Sequence, residues 1–354
     1  MFVVVATIIS VLLGTPILLS SSFLSKIYSI ITGKKPLEIS RESLIKQITK
    51  YIDSTQGRPF YSKWVCNQKT HVLCKVSGTP SKFPPIVILH GTYSCSFNFC
   101  EFMETFPETH DVYCIDLPGW GVSEGPHFDF DWLTEDEVYK YYGKMITQTL
   151  TELGYSSETK YTFVGHSFGS VILLKSIKLG FIPSGLVEKC TLCCLPGLIP
   201  LTSKFAYLWG TFFITGWLES MTKQFWSPYL FRSFLFCDSA DPLSILKTMY
   251  RFLPNAHGYY FVGKHMKFRG LSRPVWVNPI CDELMDITND HKVELIGGTY
   301  DTIVDILPMR NNKNYELHEL PGGHSLFSQK ELFPKLLSII LGGEIPTKHN
   351  KKTV

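Results

Sequence analysis

No stretch restricts this chain more than Tyr161-Thr162-Phe163-Val164-Gly165-His166-Ser167-Phe168-Gly169-Ser170-Val171-Ile172-Leu173-Leu174, an apolar run that breaks on Gly-His-Ser-Phe-Gly and resumes with helical spacing. Short continuous apolar runs read as buried strands, and apolar residues three and four apart as helices. The spacing therefore predicts strand, tight turn, helix. Glycines two before and two after Ser167 remove the Cβ atoms that would clash as the chain reverses, leaving the serine strained and exposed at the strand's end, as a nucleophile elbow requires. A three-residue pattern of this kind arises by chance in roughly one chain in ten of this length, so the elbow needs support from elsewhere.

Four further segments supply it. His90-Gly91 follows the buried-strand run Pro85-Ile86-Val87-Ile88-Leu89, and Asp116-Leu117-Pro118-Gly119-Trp120-Gly121-Val122-Ser123 makes a D-x-P-G-x-G-x-S turn after the next strand. Beyond the elbow come Glu294-Leu295-Ile296-Gly297-Gly298-Thr299-Tyr300-Asp301-Thr302-Ile303-Val304 and Leu320-Pro321-Gly322-Gly323-His324. In residues and in order, the five segments resemble the α/β-hydrolase superfamily over about residues 60–341. The resemblance implies an α/β class fold, the α/β-hydrolase fold: a mostly parallel sheet flanked by helices, with a helical lid inserted after the strand that follows the nucleophile helix. It implies Ser167 as nucleophile, Asp301 as acid and His324, in a Gly-Gly turn, as base. An oxyanion hole is expected from the backbone N–H groups of Phe168 and Thr92, with Tyr93 next in line after Thr92. His318 is the fallback base, Asp305 the alternative acid, and His90 a structural residue.

Between the motifs, two runs from Tyr61 to Val76 around Asn67-Gln68-Lys69-Thr70 read as a hairpin. Thr134-x-x-Glu137 reads as a capping box opening a helix that Gly154 stops. Val187 to Leu195, His291 to Ile296 and Asn314 to Leu320 read as strands, and a final helix is expected over about 326–341.

The ends carry other signals. Met1 to Ser25 has no charged side chain, and Phe2 to Leu19 is dense in Val, Ile and Leu, long enough to span a bilayer. Residues 1–25 are expected to be an N-terminal transmembrane helix acting as a membrane anchor, since no basic start marks a signal peptide. Lys26, Lys34, Lys35, Arg41, Lys46 and Lys50 follow it, and the positive-inside tendency puts that side in the cytosol. Residues 26–58 form a juxtamembrane segment with an amphipathic helix carrying Leu44, Ile45, Ile48 and Ile52 on one face. Residues 59–341 form the hydrolase domain, and its lid, at about 198–290, is rich in aromatics such as Trp209, Phe212, Trp217 and Trp226. Those rings suit a long apolar substrate and equally suit plain packing. Residues 342–354 are a basic tail, in which Lys351 and Lys352 resemble the dilysine retrieval signal of endoplasmic-reticulum membrane proteins.

Composition excludes some classes. Lys and Arg number 34 against 31 Asp and Glu, interspersed with no basic stripe, so nucleic acid is not an expected partner. The ten cysteines lie mostly in apolar runs and read as reduced thiols of a domain facing the cytosol. Cys190-x-x-Cys193-Cys194 lacks the second pair a metal site needs.

The expected function is a membrane-anchored serine hydrolase cleaving a carboxylic ester of a lipid, such as an acylglycerol or lysophospholipid, with no cofactor and with the membrane as a partner. Serine at the elbow argues against the dehalogenase and epoxide-hydrolase branches, whose nucleophile there is aspartate. Alternatives are an acyltransferase or thioesterase with the same triad, or a non-catalytic scaffold. The H-x-x-x-x-D signature of one acyltransferase-linked branch would put aspartate where this chain has Gln329.

Overall fold

The computed structural model describes residues 60–67, 69–77, 81–91, 94–124, 135–195, 284, 287–301, 304, 306, 310 and 315–343. The expected anchor (1–25), juxtamembrane segment (26–58), nearly all of the lid and the tail beyond 343 lie outside them.

The strands β1 (Phe60–Val65), β2 (Thr70–Lys75), β3 (Ile86–Leu89), β4 (Val112–Ile115), β5 (Tyr161–His166), β6 (Val187–Cys193), β7 (Lys292–Gly298) and β8 (Glu316–Leu320) form an eight-stranded sheet. Its order is β1-β2-β4-β3-β5-β6-β7-β8. The expected hairpin is β1 and β2, which pair antiparallel; β2 also runs antiparallel to β4, and every later pairing is parallel. Parallel strands need cover on both faces, which is why their sequences are continuously apolar.

Alternation along each strand divides the apolar residues into two cores. Val87 and Leu89, Tyr113 and Ile115, and Phe163 face one core with α2 (Glu135–Glu152) and α3 (Phe168–Lys178). Ile86 and Ile88, Val112 and Cys114, and Val164 face the other, with α1 (Cys100–Glu104) and α4 (Phe333–Ile340). Helix α2 starts where the capping-box pattern puts its first turn, Thr134 itself lying outside the described residues. It ends at Gly154, whose N–H donates to the Thr151 carbonyl at φ +96.

The last helix departs from expectation. Two short 3-10 turns, Leu326–Ser328 and Lys330–Leu332, precede α4. Pro334 is the cause: inside a continuous helix it would clash with the carbonyl four residues back and leave a hydrogen bond unmade, so the helix starts with proline in its first turn. The other end of α4 is held from the sheet. Lys189 of β6, 2.8 Å from Glu294 of β7, donates to the carbonyls of Ile339 and Ile340 at 2.5 and 3.1 Å. Burial pulls the Lys189 ammonium down, and Glu294 opposes that pull.

Among the described residues, no helix is long and apolar enough to cross a membrane. The eight described cysteines are free thiols, seven of them buried.

Candidate active site

The parallel register brings the strand ends to one edge: Leu89 lies beside Ile115 and Gly165, Gly165 beside Leu192, and Leu192 beside Leu295. The turns leaving β5, β7 and β8 therefore meet, at the carboxyl edge where α/β sheets bind ligands.

Ser167 follows β5 at φ +51 and ψ −121, and α3 begins on the next residue. A residue with a side chain pays for a positive φ, so the surroundings must hold this turn. The Ser167 N–H donates to the Cys193 carbonyl at 2.8 Å. A Cβ at Gly169 would lie 2.3 Å from the Leu89 carbonyl oxygen, and one at Gly165 2.6 Å from the Ser170 Cα. The two glycines thus let α3 sit directly on β3 and β5.

Ser167 Oγ–H donates to His324 Nε2 at 2.9 Å, and His324 Nδ1–H donates to Asp301 Oδ2 at 2.8 Å. The other Asp301 oxygen accepts the Val304 N–H at 2.9 Å. The Asp301 side chain is fully buried and that of His324 is 10% exposed, so the pair is shielded from water while the base stays reachable. Backbone bonds lock the two turns together: the Thr299 N–H donates to the Leu320 carbonyl at 2.8 Å and the Tyr300 N–H to the Gly322 carbonyl at 2.9 Å.

The structure thus brings Ser167, Asp301 and His324 together. Phe168 opens α3, its ring buried edge-on to Tyr142. Thr92, Tyr93 and Asp305 lie outside the described residues. Gly91, next to Thr92 in sequence, comes so close that a Cβ on it would fall 2.7 Å from the Ser167 Cβ. His318 is mid-strand in β8, 3.7 Å from Glu294 and 3.5 Å from Glu316, engaged with those carboxylates.

His90 is fully buried and tied to backbone on both sides. The Leu117 N–H donates to Nε2 at 3.0 Å, which leaves Nδ1–H to donate to the Gly91 carbonyl at 2.8 Å. Burial, against the pull of Asp116, keeps this imidazole neutral, and it clamps the Gly91 loop to the Asp116 turn.

Two features had no reading from sequence. The first is His166. A carbonyl can only accept, so Nε2 carries the proton and donates to the His324 carbonyl at 2.8 Å. Burial, with the neighbouring His324, pulls His166 down to about 3. This ring fastens the His324 turn to β5, and its only sequence signal is its place inside the elbow. The second is a further chain of the same residue types: Ser62 Oγ is 2.9 Å from His71 Nε2, and His71 Nδ1 is 2.9 Å from Asp116 Oδ2. The Asp116 carboxylate also accepts the Ser96 N–H at 2.6 Å and the Val122 N–H at 3.2 Å. Burial works to raise the Asp116 carboxyl, but His71, His90 and the Ser96 N–H prevail and hold it below the usual range.

No curated protein matches the chain in sequence. Solved structures match its fold. The Cif epoxide hydrolase from Acinetobacter nosocomialis aligns with TM-score 0.58 at 14% identity, covering 88% of this chain and 99% of that one. An esterase from Rhodococcus sp. ECU1013 aligns with TM-score 0.56 at 15% identity, covering 81% and 100%. A membrane phospholipase A, described as a bacterial virulence factor, aligns with TM-score 0.54 at 17% identity, covering 86% and 92%. Residues 86–333 match the alpha/beta hydrolase family. That span runs from β3 through the elbow to the first residue of α4, and with the mostly parallel sheet around it, this chain belongs to the alpha/beta hydrolase family.

Proposed function

We propose that this protein is a membrane-anchored serine hydrolase that cleaves a carboxylic ester through an acyl-enzyme on Ser167. The observation that carries the reading is the hydrogen-bonded run from Ser167 Oγ through His324 to Asp301, at 2.9 and 2.8 Å, built on a serine at φ +51. A serine hydroxyl is a poor nucleophile at neutral pH and needs a base in hydrogen-bond reach. As Ser167 Oγ attacks the carbonyl carbon, its proton passes to His324 Nε2, and Asp301 holds the imidazole in the productive tautomer and stabilises the imidazolium. Backbone N–H groups of Phe168 and Thr92 receive the charge growing on the carbonyl oxygen. His324 then protonates the leaving alcohol, and a water it activates releases the acid. No cofactor takes part.

The ester is that of a lipid, such as an acylglycerol or lysophospholipid. Three features support this: the uncharged apolar segment 1–25, the aromatic-rich stretch at about 198–290, and the alignment with a membrane phospholipase A. The amino-terminal segment anchors the chain with its catalytic domain in the cytosol.

Labelling by a serine-directed fluorophosphonate tests the chemistry. The intact protein labels, and Ser167→Ala and His324→Ala proteins that still fold do not; labelling that survives in both would overturn it. Turnover across acyl esters of increasing length tests the substrate, where a sharp preference for acetyl esters would sink the lipid reading. Transfer of the acyl group to an added alcohol in preference to water would recast the enzyme as an acyltransferase.

A further inference from the structure

Cys194, the residue after β6, stands behind the acid of this site. It is held at φ +48 with its N–H on the Ile296 carbonyl at 2.8 Å, and it is 1% exposed. Its Sγ, a carboxylate oxygen of Asp301 and a ring nitrogen of His324 all lie within 4.8 Å of one another. Thiolate, carboxylate and imidazole are the three ligand types that zinc accepts, in a tetrahedron with bonds of about 2.0 to 2.3 Å. Ligand atoms in such a tetrahedron stand about 3.3 to 3.7 Å apart, so these three side chains reach that geometry by shifts on the order of an ångström. Sulfur makes the set selective, since thiolate favours zinc over magnesium or calcium, which take oxygen.

A second cluster of possible ligands, Glu294, Glu316 and His318, is less suited to a cation. Lys189 and Lys292 lie 2.8 and 3.4 Å from Glu294 there, so the positive charge is already supplied.

We propose that Cys194, Asp301 and His324 form an inhibitory site for zinc and similar thiophilic divalent cations, in which the metal takes His324 away from Ser167. In the metal-free state burial, and then the Asp301 carboxylate, push the Cys194 thiol well up, so it stays a neutral thiol against that carboxylate. On binding, the metal–sulfur bond replaces the sulfur–proton bond and the proton leaves to the buffer. His324 binds through Nδ1, the nitrogen that faces Asp301, whose proton moves to Nε2, and nothing is oxidised or reduced. A water completes the four-coordinate site. With Nε2 protonated, the imidazole no longer takes the Ser167 proton.

The inhibitory role rests on the proposed use of His324 as base, so the test has one arm that needs no activity. In the first arm, fluorophosphonate labelling of the full-length protein is followed against added Zn2+, with wild type, Cys194→Ser and Cys194→Ala each normalised to its own metal-free rate. Micromolar zinc should suppress wild-type labelling, a chelator should restore it, and both variants should need at least about tenfold more zinc. In the second arm Co2+ replaces zinc. The wild type should develop a thiolate-to-cobalt charge-transfer absorption that Cys194→Ser lacks, and Ser167→Ala should retain it. A cobalt band without any labelling would keep the metal site and remove the hydrolase reading. Normal labelling with equal zinc sensitivity in all three proteins, and no cobalt band dependent on Cys194, would overturn the metal site and leave the hydrolase reading standing.

Discussion

Ser62, His71 and Asp116 are joined by contacts of 2.9 and 2.9 Å, and Ser167, His324 and Asp301 by 2.9 and 2.8 Å. Distance does not separate the two chains; their backbone settings do. Ser62 lies within β1, in regular antiparallel register beside Leu73. His71 is fully buried, stacked on Phe97 at 5.5 Å and tilted against Trp64 at 5.1 Å. Asp116 accepts the Ser96 N–H on Oδ1, and on Oδ2 it meets His71 and accepts the Val122 N–H of its own turn. Ser167 instead ends its strand in a positive-φ turn, with a helix starting on the next residue and the Gly91 loop against it. One chain braces the antiparallel edge of the sheet to the Asp116 turn. The other stands at the carboxyl edge of the sheet where α3 begins, the place at which the proposed hydrolysis needs N–H donors aimed at the transition state.

Replacing the two serines is the sharpest way to break this contrast. Ser167→Ala should abolish fluorophosphonate labelling and lower turnover by at least about 10⁴-fold, while Ser62→Ala leaves both within about twofold. Equal losses in a turnover assay would make the brace a second active site. Asp116→Ala should cost about 3–5 kcal/mol of stability, because His71 and two backbone N–H groups lose their buried partner. Urea unfolding measures it, and a loss under 1 kcal/mol would refute the brace.

His166 sharpens the other half. His166→Phe removes the donor to the His324 carbonyl and should lower kcat by about 10- to 100-fold with KM little changed, whereas His166→Gln, which keeps an N–H, should recover most of it. An equal rise in KM would place the defect in substrate binding. The same ring sets a pH dependence. Its ordinary value is 6.5 and its folded value about 3, so between those limits the unfolded chain binds a proton that the folded one excludes. Stability should therefore fall with acidification below about pH 6.5, by up to about 1.4 kcal/mol per pH unit from this group. His90, also lowered by burial, adds in the same direction. Unfolding midpoints from pH 7 to 5 should show a smaller slope in His166→Gln. The smallest effect is Ser62→Ala itself, about 0.5 to 1.5 kcal/mol for one hydrogen bond, read from the same urea curves.

Residues set in short turns at strand ends were legible from sequence. Ser167 announces itself through its flanking glycines, whereas Asp301 and His324 were reached through the resemblance of their segments to the α/β-hydrolase superfamily, His324 also through its Gly-Gly turn. The strands around them were legible because parallel pairing leaves a continuous apolar run. Side chains whose meaning depends on a partner far along the chain were not. His166 gains its role from a carbonyl 158 positions away, and Ser62, His71 and Asp116 meet only because β1, β2 and β4 are neighbours. Cys194 reads as one small hydrophobe among several until Asp301 is placed beside it. The expected helix runs too far because Leu326 stands seven residues before Phe333, in phase with Leu337 and Ile340, and periodicity does not register the effect of Pro334.

The pairing of β6 with β7 has a consequence for how such an enzyme changes. Lys189 stands beside Lys292 and Cys193 beside Ile296, so the chain leaves the sheet and re-enters it on the adjacent strand whatever residues 194–291 contain. Ser167 is encoded before that excursion, and Asp301 and His324 after it. Loop closure grows only logarithmically costlier with length, so the excursion is free to lengthen, shorten or be exchanged while the register holds the chemistry in place. Grafting another relative's segment between Cys193 and Lys292 then becomes an engineering operation that leaves the meeting of Ser167, His324 and Asp301 alone.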